Sequence, residues 1–214
     1  MSKEYWKPGN MLYPVPAVMI SCGRPGETPN IITVAWAGTI CSDPAQVSIS
    51  VRKERFSHDI IKDTGEFVIN LVNKRLVRAT DYCGVKSGRD VDKFAETRLT
   101  VQESRNVKAP GIEESPVNIE CKVKEVKELG SHDMFIAEVV GVTIDNQYMD
   151  DRGKFNLNAS GLVSYSHGEY FELGKKLGSF GYSVKKNIKK RRPAASEGKT
   201  SKTRNPKRNG PKKG

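Results

Sequence analysis

The chain has 214 residues, of which 36% are hydrophobic, and its 36 Lys/Arg against 25 Asp/Glu give a net charge of +11. That suffices for one sizeable domain with a real core, and no apolar run approaches the roughly 18 residues that cross a bilayer. The charge is uneven: residues 183–214 hold 13 basic side chains and one acid, Glu197, for +12, which leaves residues 1–182 at −1. The basicity that suggests nucleic acid therefore belongs to an appendage, and the body is nearly neutral.

Other classes fall away by spacing. Cys22, Cys41, Cys83 and Cys121 are widely separated, with no C-x-x-C, so neither zinc nor disulfide spacing is present. Free thiols point to a reducing cytoplasm, and the opening MSKEYWKPGNMLYP has no signal-peptide core. His58, His132 and His167 do not fall at metal-ligand spacing, so no metal is expected. There is no G-x-G-x-x-G after a strand and no G-x-S-x-G elbow. Gly198-Lys199-Thr200 imitates the end of a phosphate loop, but Pro193 stands where the first glycine belongs.

Along the chain, residues 1–16 read as a polar, aromatic arm. AVMISCG (17–23) and IITVAWAG (31–38) read as strands around the turn-forming GRPGETPN, an antiparallel hairpin. QVSISVR (46–52) alternates, with Val47, Ile49 and Val51 on one face and Ser48, Ser50 and Arg52 on the other. Ser57 is placed as the N-cap of a short helix holding Ile60 and Ile61 and stopped by Gly65. EFVINLV (66–72) is another strand, KRLVRATDYCG (74–84) a second helix closed by Gly84, and VKSGRDVDKF (85–94) a loop. VNIECKV (117–123) alternates, and the slip at Lys124-Glu125-Val126 predicts a bulge or a strand end. LGSHD (129–133) is a turn, MFIAEVVGVTID (134–145) a long strand, and GLVSYSHGEYFELG (161–174) the last ordered piece. Beyond Tyr182 the chain is too polar to offset its ordering entropy, which predicts a disordered tail. Many short strands with few helices predict a β-barrel with peripheral helices.

One cluster suggests chemistry. In S-x-R-K-x-R-x-S, Ser50, Arg52, Lys53, Arg55 and Ser57 set hydroxyls and cations beside a helix start, which suits a phosphate; a charged strand end that discourages aggregation is the plainer reading.

The order N-x-x-T-x-A-W (30–36), S-V-R-K-x-R-x-S (50–57), F-V-I-N (67–70), D-Y-C-G-x-x-S-G (81–88) and D-K-F (92–94) resembles the flavin reductase-like, FMN-binding split-barrel family, and within it flavoredoxins, over roughly residues 10–170. The resemblance implies a mainly β domain over 1–182, a split β-barrel that forms a homodimer with one FMN per subunit, followed by the Lys/Arg-rich tail 183–214. It places Asn30, Thr33 and Trp36 along the ring and ribityl chain. Ser50, Arg52, Lys53 and Ser57 fall on the phosphate, and Cys83, Gly84, Ser87 and Lys93 on the other side of the flavin. It also brings His132 and Tyr165 near the ring. Lys93 and His132 are then candidates for tuning the cofactor, with no side-chain nucleophile required. The implied activity is a cytoplasmic oxidoreductase passing electrons from NADH, NADPH or a protein donor through FMN to free flavin, ferric iron or a redox protein. Two rivals stand beside it: a flavin-binding electron carrier without reductase activity, and a nucleic-acid-associated protein, or one that binds acidic surfaces, acting through its tail.

Overall fold

A computed structural model of the chain describes residues 1–185, and its regular structure begins with two residues of strand, Val15–Pro16 (β1). Strands Val18–Cys22 (β2), Asn30–Val34 (β3), Ala37–Ser42 (β4) and Ala45–Arg52 (β5) follow, then helix Phe56–Thr64 (α1) and strand Glu66–Leu71 (β6). Helices Val77–Val85 (α2) and Lys93–Thr97 (α3) lead to the short strands Val101–Gln102 (β7) and Gly111–Ile112 (β8). Two long strands, Val117–Leu129 (β9) and His132–Ile144 (β10), and a hairpin of Val163–Ser166 (β11) and Glu169–Glu172 (β12) complete the unit formed by residues 1–174.

Seven strands form one antiparallel sheet in the order β3-β2-β6-β9-β10-β5-β4. The sheet curls until edge strand β3 faces β5, and a shared core fills the inside: Ile20, Ile49, Val51, Phe67 and Phe135, plugged by Ile60 and Ile61 of α1. Each of these fully buried side chains contributes about 1.5–3 kcal/mol. This is the mainly β barrel that the short alternating runs predict, with helices at its periphery.

Strand β2 is buried throughout because successive residues serve two cores. Val18, Ile20 and Cys22 face the barrel interior, while Met19, with the neighbouring Ala17, packs outward with Ile31, Cys83, Phe94, Ile112 and Val163 beneath α2, α3 and β11. In β5, Val47, Ile49 and Val51 are buried and the residues between them are not, as the alternation requires. The slip in β9 is a bulge: pairing passes from Ile136↔Glu125 to Ala137↔Val123, so Lys124 is the extra residue and the strand continues to Leu129. Gly65 ends α1 in the left-handed region, with φ 67°.

Several expectations are corrected. The run 31–38 is not one strand: it breaks at Ala35-Trp36 and turns from β3 into β4, on the opposite edge of the sheet. Ser57 is not the N-cap. Arg55 holds that position without a side-chain cap, while Ser57 lies inside the helix and its Oγ accepts a 2.7 Å hydrogen bond from Asn30 Nδ2. Gly84 lies within α2, which ends after Val85; its missing side chain lets α2 approach β3, since a Cβ there would sit 3.2 Å from Thr33 Cβ. The loop 85–94 ends in a helix start, where Asp92 caps α3 through Ala95 N. His132 and Asp133 belong to β10 rather than to a turn, and β1, within the expected arm, pairs with β11. Of the expected disordered tail 183–214, residues 183–185 are described, with a short 3-10 helix at Tyr182–Val184, and the remainder, with any contact to nucleic acid or acidic surfaces, lies outside the described residues. Among the described residues no helix is long and apolar enough to cross a membrane.

A buried amide network ties the sheet to the following loop. Asn70 Nδ2 donates to Met19 O (2.9 Å) and Ser21 Oγ (2.9 Å), and Asn70 Oδ1 accepts from Ile112 N (3.0 Å) and Asn118 Nδ2 (2.8 Å). Removing one member strands the others without water. Asn70→Ala is therefore expected to lower stability by about 2 kcal/mol or more, read as a lower urea midpoint with an unchanged slope.

Candidate functional site

The break at Ala35-Trp36 leaves a gap between β3 and β5 that no strand fills. A cavity of about 330 Å³ occupies it. Ile32, Thr33 and Val34 of β3 form one wall and Ser50, Val51 and Arg52 of β5 another, with His132 at the start of β10 beside them. Gly84 and Asp81 of α2 close one end, and Trp36, Tyr165 and Tyr170 supply aromatic surface. Tyr13 joins this wall, with its ring 6.1 Å from Trp36 and 6.3 Å from Tyr165.

A second cavity of about 190 Å³ adjoins the first at Ile32 and Arg55. It is cationic: Arg55, Lys86, Arg89 and Lys93 line it with a single acid, Glu54. Asn30, Ser57, Cys83, Ser87 and Gly88 complete it. Arg55, Phe56 and Ser57 form the first turn of α1, whose leading amides have no acceptor within the helix. Gly88 permits a close approach, because a Cβ there would overlap the Asn30 amide. Arg55 takes part in no ion pair or side-chain hydrogen bond among the described residues, although it lines both cavities. A half-buried, unpaired guanidinium beside open helix amides supplies the donors that suit an anion.

All the expected site residues except Lys53 line one cavity or the other. Thr33, Trp36, Ser50, Arg52, Gly84, His132 and Tyr165 line the first, and Asn30, Ser57, Cys83, Ser87 and Lys93 the second. Lys53 lies elsewhere: it pairs with Glu128 at 3.0 Å and lies 3.3 Å from Asp133 Oδ1, because the turn after Arg52 swings it away and brings Arg55 in. Lys93 lines the second cavity. Its buried Nζ donates to Ile31 O (2.6 Å) and Cys83 O (2.8 Å), tying α3 to β3 and α2, and it reaches only the second cavity. Burial pushes its pKa down. Five residues beyond the expected set also line the cavities. Arg55 and Asp81 stand in motifs of the sequence without a flavin role assigned to them, whereas Lys86, Arg89 and Tyr170 carry no signal there.

The protonation states suit a binding site rather than side-chain chemistry. Burial, then Arg52, lower the His132 pKa, so near neutrality the ring offers a hydrogen bond and not a charge; Ser131 Oγ lies 2.9 Å from its Nδ1. Burial and Asp81 push the Tyr170 phenol up to about 12. Burial holds the Cys83 thiol at about 11, with Lys93 only partly offsetting it. Among the described residues no group of three or more His, Cys, Asp or Glu side chains is arranged to hold a metal.

The features present fit a flavin mononucleotide: a slot with aromatic surface, hydroxyl and amide donors along it, and an unpaired cation at a helix start for the phosphate. Comparison with known proteins leads to the same class. A family model described as flavin reductase like domain matches residues 10–174. An uncharacterised protein of Archaeoglobus fulgidus is 32% identical over 160 residues, spanning 75% of this chain and 88% of that one. The structure of flavoredoxin from Desulfovibrio vulgaris (Miyazaki F) is similar at 31% identity and a TM-score of 0.79, covering 86% of this chain and 100% of that one. Flavoredoxin from Methanosarcina acetivorans is similar at 25% identity and a TM-score of 0.77 with the same coverage.

The thiols give a direct check on this electrostatic picture. Cys22, Cys83 and Cys121 are buried and raised to about 12, 11 and 12, whereas Cys41 is partly exposed on edge strand β4. At pH 8 the native protein is expected to react at one thiol with Ellman's reagent, and at four once unfolded. Loss of the fast phase in Cys41→Ser identifies that thiol.

Proposed function

Because the chain belongs to the flavin reductase like domain family, we propose that it is an FMN-dependent oxidoreductase, taking electrons from NADH, NADPH or a protein donor and passing them to a second acceptor. The observation that carries this reading is Arg55, an unpaired cation at the junction of an aromatic slot and a cationic pocket. Arg55, Ser57, Ser87 and the open amides of α1 would hold the phosphate. Thr33, Ser50 and the backbone edge of β3 would border the ribityl chain and ring, with Trp36 and Tyr165 as the flat wall. His132, kept neutral, would give a hydrogen bond at the ring without adding a charge. Bound FMN supplies the hydride and electron chemistry, which none of these side chains can perform.

The protein then orients the cofactor and leaves one side of it accessible. A wider cavity of about 550 Å³, bounded by residues 9–12 of the arm and by Leu129, shares Trp36, Ser50 and His132 with the aromatic slot. It would admit the flat end of a donor or acceptor to the ring. A homodimer and a redox protein as acceptor belong to the same reading, as does a cytoplasmic setting.

Freshly purified protein is expected to be yellow, with an oxidised-flavin spectrum, and to release FMN on denaturation. Arg55→Ala should weaken FMN binding by about 10- to 100-fold, the cost of charge-assisted hydrogen bonds to phosphate, while leaving the thermal midpoint of the apoprotein near wild type. Colourless protein that takes up no added FMN would end the reading. On anaerobic mixing with NADH or NADPH, bleaching of the flavin band marks a reductase, and a band that persists until a protein donor is added marks an electron carrier.

A further inference from the structure

The turn that carries Arg55 is held from behind by one buried carboxylate. Asp133, on β10, is 1% exposed. Its Oδ2 lies 2.9 Å from His58 Nε2 and its Oδ1 lies 3.3 Å from Lys53 Nζ. Burial alone would push its pKa up, but His58 and Lys53 outweigh this and hold it below the ordinary carboxylate value. Near neutrality Asp133 is therefore an anion that only accepts, and His58 Nε2 is the donor. Lys53 stands two residues before Arg55 and His58 three after it, so a single carboxylate fastens both ends of the segment. Backbone bonds close the bend between them, from Arg55 N to Arg52 O at 3.1 Å and from His58 N to Arg55 O at 2.9 Å.

Further contacts fix the two arms of this clamp. The His58 ring is buried, meets Phe135 edge-on with centres 5.5 Å apart, and has Asp59 Oδ1 2.9 Å from its Nδ1. Lys53 pairs with Glu128 at 3.0 Å. On the opposite wall Ser57 accepts the bond from Asn30, so consecutive residues brace the first turn of α1 between β3 and β10. Lys53, His58 and Asp133 line neither the slot nor the cationic cavity. A buried ionic cluster that touches no ligand is costly to assemble, and what it holds in place here is Arg55. Fixing that backbone beforehand lowers the ordering cost of gripping an anion.

We propose that Asp133 is a positioning residue for the phosphate: by clamping Lys53 and His58 it fixes the turn from which Arg55 meets the anion. The proposal rests on the reading of the two cavities as a flavin site. Field and position predict opposite signs. Asp133 is an anion behind an anion site, so if its charge acted alone, Asp133→Asn would tighten FMN binding. The clamp requires that it weaken.

The test titrates apoprotein with FMN and with riboflavin, which lacks the phosphate, following flavin fluorescence. Asp133→Asn should weaken FMN about tenfold and leave riboflavin within about twofold. Lys53→Met alters a half-exposed side chain that the fold tolerates, and should weaken FMN about threefold while sparing riboflavin. In the Arg55→Ala background each change should cost FMN less than about twofold, because the clamp acts through Arg55. Tighter or unchanged FMN binding in Asp133→Asn overturns the proposal, as do equal losses for both flavins or losses that add to that of Arg55→Ala. If Asp133→Asn does not fold, Lys53→Met decides by the same criteria. Wild-type protein that binds neither flavin defeats the flavin site itself, whereas flavin binding that the two substitutions leave unchanged defeats the clamp alone.

Discussion

The site depends on how the free edge of β3 is held. As the first strand in the sheet order, β3 pairs on one side only, with β2. On its other side its polar groups meet side chains and a helix rather than another strand. Lys93 Nζ takes the carbonyl of Ile31, Thr33 Oγ1 donates to Thr80 O, and Asn30 Nδ2 reaches across to Ser57 Oγ. A strand in that place would satisfy the same backbone groups and fill the cavity. Of these bridges only Lys93 meets a backbone group of β3, while the Thr33 and Asn30 side chains tie the strand to α2 and α1, and together they leave open space between β3, α2 and the end of β5. Burying a lysine for this purpose costs several kcal/mol unless its donors are met, and two carbonyls within 2.8 Å meet them.

The same bridges divide the space by polarity. Arg55, Lys86, Arg89 and Lys93 gather on the α1–α3 side against one acid, whereas the slot between β3 and β5 carries the aromatic surface and hydroxyl groups, with Arg52, Arg55 and Asp81 at its border and His132 neutral. An elongated ligand with an anionic end and a flat end is therefore oriented before any contact with a second reactant. The glycines make this fit possible through space rather than through flexibility. Gly84 lets α2 lie against β3, and Gly88 lets its loop pass the Asn30 amide.

Regular features were legible in the sequence because they depend on nearest neighbours. The period of two in 46–52, the doubly buried run of β2, the bulge at Lys124 and the left-handed stop at Gly65 each follow from a few adjacent residues. What the sequence concealed are reversals and long-range bonds. The run 31–38 begins with β-branched residues and carries no Pro, Asn or Asp, so nothing strong in it marks the turn at Ala35-Trp36 that sends β4 to the far edge of the sheet. Ser57 is a good N-cap by type, yet its hydroxyl is claimed by Asn30, 27 residues away in sequence. Lys53 and Arg55 are chemically alike along the chain, and only the turn after Arg52 decides which faces the cavity. Tyr170 and Arg89 reach the cavities from segments whose sequences carry no motif.

The contacts of Lys93 bear on how the cavities are held together. A lysine expected beside the ring on resemblance would act by its charge. Here its nitrogen is bound to two backbone carbonyls, and its displacement would loosen β3 from α2 before it altered any field at the slot. Its contacts are structural and tie α3 to β3 and α2. The charges free to act directly at the slot are Arg52, half-exposed and loosely paired with Glu54 at 3.5 Å, and the unpaired Arg55. A guanidinium cannot lose its proton in the physiological range, so the field these two impose is constant with pH. The neutral His132 between β5 and the arm is then the one slot-lining side chain whose charge can change near neutrality, and Arg52, the residue paired with it across the β5–β10 ladder, opposes that change.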